Sequence, residues 1–152
     1  APFFTKHKAT CGSAGLSASA PKEMGTFPYP LYVAYGSQSA DTVYAITKGI
    51  IDTYDIYKDG APGASGLAIK QQTTKWVIPF HAGAVKAFKE AGIWKDDAEK
   101  HNQGLLARQK VLATAWSDFL KTNPAEEKAA FTTAWLAARK AALLKAGMEP
   151  VM

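Results

Sequence analysis

The segment Tyr29-Pro30-Leu31-Tyr32-Val33-Ala34-Tyr35 is the one clear strand signal in the chain. β-branched and aromatic residues crowd it, and Leu31, Val33 and Tyr35 share one face by the two-residue period of a strand. Pro30 belongs at its start or at an edge, because proline has no N–H for a central ladder. A lone strand cannot satisfy its own edges. Either this is a mainly helical domain with one extended segment, or residues 29–35 join a sheet that other sequence builds. The second reading is the expectation here.

The rest of the chain reads as helices and turns. Ser39 is placed to cap a helix from about Asp41 to Thr53, in which Val43, Ile46, Thr47 and Ile50 recur at helical spacing. Asp59-Gly60-Ala61-Pro62-Gly63 marks a turn, and a short helix is expected over Ser65–Gln72. Another helix starts at Ala82 or Gly83, buries Ala84, Val85, Phe88 and Ala91, and stops at Gly92, with Ile93 and Trp94 as the contact beyond its end. Residues 96–120 form a long helix with Leu105, Leu106, Leu112, Trp116, Phe119 and Leu120 near one stripe. Asn123-Pro124 is a stop and a new start, with Pro124 suited to the first helical position. The last helix, 125–146, carries Phe131, Ala134, Trp135, Ala138 and Leu143 and ends at Gly147. The short connection predicts a helical hairpin. Residues 1–28, rich in Gly, Pro and small polar residues, read as irregular.

The net charge of +5 is spread evenly: nine Lys or Arg and six Asp or Glu in residues 1–94, then nine and seven in residues 95–152. With no basic stripe and no nucleic-acid motif, no nucleic-acid partner is expected. One cysteine, Cys11, allows no intramolecular disulfide, and the three histidines stand at no metal-ligand spacing. No G-x-S-x-G, Walker loop or acid–base carboxylate pair is present, so neither a catalytic residue, a metal nor a cofactor is expected. No apolar run has the length of a membrane span.

Six residues are candidate ligand contacts. Ser37, Gln38 and Ser39 lie between a strand end and a helix start, where open α/β sheets bind ligands, and their polar groups could orient a carboxylate. Capping explains Ser39 equally well. His81 precedes a glycine-containing helix start whose N–H groups favour an anion; it is a ligand contact or a histidine that orders the loop through both ring nitrogens. Tyr35 and Tyr44 combine aromatic area with a hydroxyl and could line a cleft, although Tyr44 also suits a helix core.

Val43-Tyr44-Ala45-Ile46-Thr47-Lys48 resembles a segment of TAXI-type solute-binding proteins, the extracytoplasmic receptors of TRAP transporters. Ile78-Pro79-Phe80-His81-Ala82-Gly83-Ala84-Val85-Lys86-Ala87-Phe88-Lys89-Glu90-Ala91-Gly92 resembles a later segment of the same family with its His, Gly, Ala, Lys and terminal Gly at matching offsets. Pro2-Phe3-Phe4-Thr5-Lys6 is similar to the stretch before the family's strand, so the resemblance covers roughly residues 2–94. It implies the C-terminal portion of a two-lobed α/β fold, a partial type II periplasmic-binding-protein lobe, over residues 1–94. Residues 95–152 would be a helical hairpin extension. It implies non-enzymatic binding of a small organic anion in a cleft completed by an N-terminal portion or a companion polypeptide. TRAP membrane subunits become further partners, and the setting becomes periplasmic, with a secretory signal lost upstream of Ala1. A structural or assembly subunit that reuses the fold is the alternative.

Overall fold

The structure is a computed structural model that describes residues 5–12, 15–26 and 31–150. It is helix-rich with a small two-stranded sheet. The chain divides into two compact units. One comprises residues 1–76 and 80–95, the other residues 77–79 and 96–152.

In the first unit, β1 (Thr5–Ala9) pairs antiparallel with β2 (Lys22–Thr26), with His7 opposite Met24. This corrects the irregular reading of residues 1–28. The strands read Thr-Lys-His-Lys-Ala and Lys-Glu-Met-Gly-Thr, so no apolar period announces them. Their signal is instead a cross-strand ion pair, Lys6 to Glu23 at 2.8 Å, between residues diagonal in the ladder. Such an exposed pair contributes little alone, and both strands are largely exposed.

The strand expected at 29–35 is not part of that sheet. Tyr29 and Pro30 lie outside the described residues. Leu31–Tyr35 joins no described strand, and Tyr32, Val33 and Tyr35 are 69%, 76% and 87% exposed. A segment so apolar gains nothing by facing water, and its backbone groups need partners.

Helix α1 (Ala40–Asp52) begins at Ser39, whose Oγ accepts the Thr42 N–H at 3.4 Å. A single turn, α2 (Tyr54–Tyr57), follows. The Tyr57 hydroxyl donates to the Ile50 carbonyl at 2.9 Å and the Tyr54 hydroxyl to the Ser65 carbonyl at 3.0 Å. The single helix expected over Ser65–Gln72 is instead two 3-10 turns, Ala64–Leu67 and Ile69–Gln71, broken at Ala68, which is extended. Gln72 bridges them, its Nε2 donating to the carbonyls of Gly66 and Ala68 at 3.3 and 3.1 Å. Those local bonds compete with a continuous helix ladder.

Helix α3 (Ala82–Glu90) packs on α1. It ends as its sequence requires: Gly92 has φ 75° and its N–H donates to the Lys89 carbonyl, while Ile93 N–H reaches the Phe88 carbonyl. That turn folds Trp94 back, where it is buried with Phe88, their rings stacked at 6.4 Å and Phe80 edge-on to both. Val43, Ala68 and Ala87 complete this small core.

In the second unit, α4 (Asp96–Lys121) and α5 (Lys128–Lys145) form the expected hairpin. Trp116 and Phe119 sit three residues apart on α4, Phe131 and Trp135 four apart on α5. The two indoles meet edge to face at 4.8 Å, and the Phe119 ring lies 5.2 Å from Phe131 and 5.5 Å from Trp135. Leu143 is completely buried. The tryptophans therefore close the hairpin on itself.

Pro124 is not the first residue of α5. Asn123 takes φ 49° and ends α4, and α5 starts only at Lys128. The reason is Glu127. Its carboxylate accepts the N–H groups of Ala129 and Ala130 at 2.9 and 2.8 Å, a charged cap that satisfies two terminal donors. Those backbone bonds hold its pKa below the usual carboxylate value. A folded pKa below the unfolded one means that the cap stabilises at neutral pH and that this contribution is lost as pH falls through the folded value. Acid titration should therefore lower the exchange protection of Ala129 and Ala130 before that of mid-α5, and Glu127→Ala should abolish this early step.

Candidate functional site

The first unit brings two helix starts together. A Cβ built on Gly83 would lie 2.2 Å from the Ala40 carbonyl oxygen and 2.6 Å from the Tyr44 nitrogen. Only a glycine lets the first turn of α3 approach the backbone of α1 so closely. The segment before α1 is a tight turn in which the Gln38 N–H donates to the Tyr35 carbonyl at 3.0 Å.

His81 ties these starts to each other. Its Nδ1 accepts the Gly83 N–H at 3.2 Å, so it is the side-chain cap of α3. An accepting Nδ1 places the ring proton on Nε2, which then donates to the Gln38 carbonyl at 3.1 Å. One neutral imidazole thus fixes both the α3 start and the turn leading into α1. Gln38, Ser39 and His81 are brought together, with Tyr35 and Ser37 in the same turn and their side chains exposed. Replacing His81 by alanine should cost about 1–2 kcal/mol, the sum of a lost cap and a lost hydrogen bond. His81→Asn should recover the cap but not the tie to Gln38. Urea unfolding of the two variants measures the split.

The two helix starts differ electrostatically. α1 carries Asp41 in its first turn, which already complements the positive end of the helix; α3 has no acidic residue there. The uncompensated positive end is that of α3, beside His81.

Tyr44 lies elsewhere. Its hydroxyl donates to Glu90 Oε2 at 2.8 Å, and Lys86 Nζ sits 4.2 Å above its ring. The bond to the Glu90 carboxylate is the main reason its pKa is raised. Tyr44 is engaged as a tie between α1 and α3, and it does not share the Gln38–His81 cluster. Sequence reasoning assigned no contact at this crossing to Gly83, Lys86 or Glu90, although Gly83 and Lys86 fall at matching offsets in the family-like segment. The glycine inside the His81–Gly92 motif was the available signal for the first.

Among the described residues no group of three or more His, Cys, Asp or Glu is placed to hold a metal ion, and no helix is long and apolar enough to cross a membrane. Cys11 is exposed.

A family model described as the NMT1-like family matches residues 25–92. That family is distantly related to the TAXI-type solute-binding proteins. No curated protein and no solved structure matches the chain.

Proposed function

We propose that this chain is the C-terminal portion of a periplasmic receptor of the TAXI type, binding a small organic anion without turnover. The rest of its fold and cleft would come from an N-terminal portion or a companion polypeptide. The observation that carries this reading is where the family match falls. Residues 25–92 contain the exposed Leu31–Tyr35 segment, the turn that follows it, and the paired starts of α1 and α3. In an open α/β sheet a ligand binds at this junction of strand end and helix start. The positive end of α3 favours a carboxylate there. Tyr35, Ser37, Gln38, Ser39 and His81 are the residues that would surround it, and Tyr44 would hold the helices in register behind them. Residues 1–94 then form the receptor part and residues 95–152 its helical extension. Ligand-driven closure would present the complex to TRAP membrane subunits.

Calorimetric titration with a panel of small organic anions, glutamate among them, tests this. The native assembly should bind at least one of them saturably, and the isolated chain should bind it at least about tenfold more weakly. No binding by either would sink the receptor reading.

Exposed Leu136 and Leu144 on α5 favour the second reading, an assembly subunit built on the same fold. A native assembly in which another chain covers α5, and which binds no organic anion, would support it.

A further inference from the structure

The two hydrogen bonds of His81 fix the charge state of its ring. Nδ1 can bond the Gly83 N–H at 3.2 Å only as an acceptor, because a backbone N–H can only donate. A neutral imidazole has one acceptor nitrogen and a cationic imidazole has none. A proton added to His81 goes to Nδ1, since Nε2 already carries one in its bond to the Gln38 carbonyl. The Gly83 bond is then replaced by two N–H groups aimed at each other. The start of α3 sharpens the conflict, since no acidic residue in its first turn offsets the positive end of the helix against which the new charge lies. Gly83 is buried where α3 crosses α1, so a freed N–H there is costly until the first turn of α3 moves.

We propose that His81 is an acid-released latch: protonation at Nδ1 breaks the cap on α3 and frees the first turn of that helix from the turn that leads into α1. The Nε2 bond to Gln38 survives protonation, so the ring stays with the turn and the α3 start moves. The titratable groups on the surrounding elements leave this step to His81. The turn carries Tyr35, and α1 carries Asp41 in its first turn and the Lys48–Asp52 ion pair further along. Tyr44 of α1 engages Glu90 and Lys86 of α3, and Lys89 lies in the last turn of α3. Among the described residues none of these forms an ion pair with His81. Asp41 is the carboxylate whose titration must be separated from that of the ring. Residues 35–39 and His81 are also those of the proposed anion site, so acid regulation of that site rests on the receptor reading; the latch itself does not.

The test uses the full chain with no ligand added. Nitrogen chemical shifts of the imidazole report its tautomer. Hydrogen exchange of the Gly83 amide, referred to its unstructured rate, reports the cap. At about pH 8 the ring should be the Nε2–H tautomer. Between about pH 8 and about pH 5, the range in which imidazole side chains change charge, Gly83 protection should fall about tenfold in step with His81 protonation. Ala91, whose N–H bonds the Ala87 carbonyl at the other end of α3, should change by less than about twofold. His81→Asn supplies an acceptor that does not titrate and should remove the step, while Asp41→Asn should leave it in place. An Nδ1–H tautomer at the alkaline end, or Gly83 protection that stays level while His81 protonates, would overturn the proposal. Both are read in the unsubstituted chain, so a misfolded variant leaves the test intact. The same fall in His81→Asn, or its loss in Asp41→Asn, would overturn it as well. With no anion present, failure of the latch leaves the receptor reading standing, and failure to bind anions leaves the latch standing.

Discussion

Gly83→Ala is expected to destabilise the first unit by about 3 kcal/mol, while Gly49→Ala stabilises it by about 0.5–1 kcal/mol. The same added methyl has opposite signs because the surroundings differ. At Gly83 the Cβ would meet the Ala40 oxygen at 2.2 Å, the Tyr44 nitrogen at 2.6 Å and the Val43 Cβ at 3.0 Å. Two of these are backbone atoms of a helix, so relief requires α1 and α3 to separate. Separation in turn loosens the burial of Val43 and Ala87 and strains the His81 tie to Gln38. At Gly49, in the body of α1, a Cβ would meet nothing within 4 Å, and alanine simply improves helix propensity. Urea denaturation followed by circular dichroism reads both. A Gly83→Ala chain as stable as the parent would mean that the helices do not cross as described.

The largest effect in the second unit belongs to Phe119. It is buried, and its ring lies within 6.0 Å of Trp116 and closer to Phe131 and Trp135. Truncation to alanine removes a whole ring from the middle of that cluster and leaves a cavity that two helices cannot refill without shifting. The expected cost is about 3–5 kcal/mol. The near-ultraviolet dichroism of the Trp116–Trp135 pair should fall with it, because their 4.8 Å edge-to-face contact depends on the ring beneath. Leu136→Ala, at an exposed position on α5, should change stability by less than about 0.5 kcal/mol. Comparable losses at the two positions would contradict the packing.

Where structure was legible in the sequence, the signals were local. Ser39 before a periodic apolar run and Gly92 after one gave the bounds of α1 and α3, because capping is a matter of a few neighbouring backbone groups. The short connection at Asn123-Pro124 pointed to the α4–α5 hairpin for a similar reason, since a tight link forces neighbouring helices to run antiparallel. The β1–β2 ribbon escaped notice because charged residues, not apolar ones, line it. The start of α5 differs from the expectation because the proline ring of Pro124 suits a first helical turn, whereas the Glu127 carboxylate supplies the cap that fixes it. Leu31–Tyr35 has the composition of a strand yet joins no described ladder, since composition cannot supply a neighbour.

The candidate site divides in the same way. His81 and Ser39 could be picked out as residues at helix starts. That His81 bonds Gln38, forty-three positions earlier, depends on how α1 and α3 cross, and Gly83 sets that crossing.

The central claim is that other sequence completes this fold at Leu31–Tyr35. Hydrogen exchange at those five residues tests it most directly, in the isolated chain 1–152 and in the native assembly. Free backbone amides should exchange at nearly unstructured rates in the isolated chain and gain at least about a hundredfold protection in the assembly, where a neighbouring strand takes them up. Equal protection at Leu31–Tyr35 in the two samples would contradict the account.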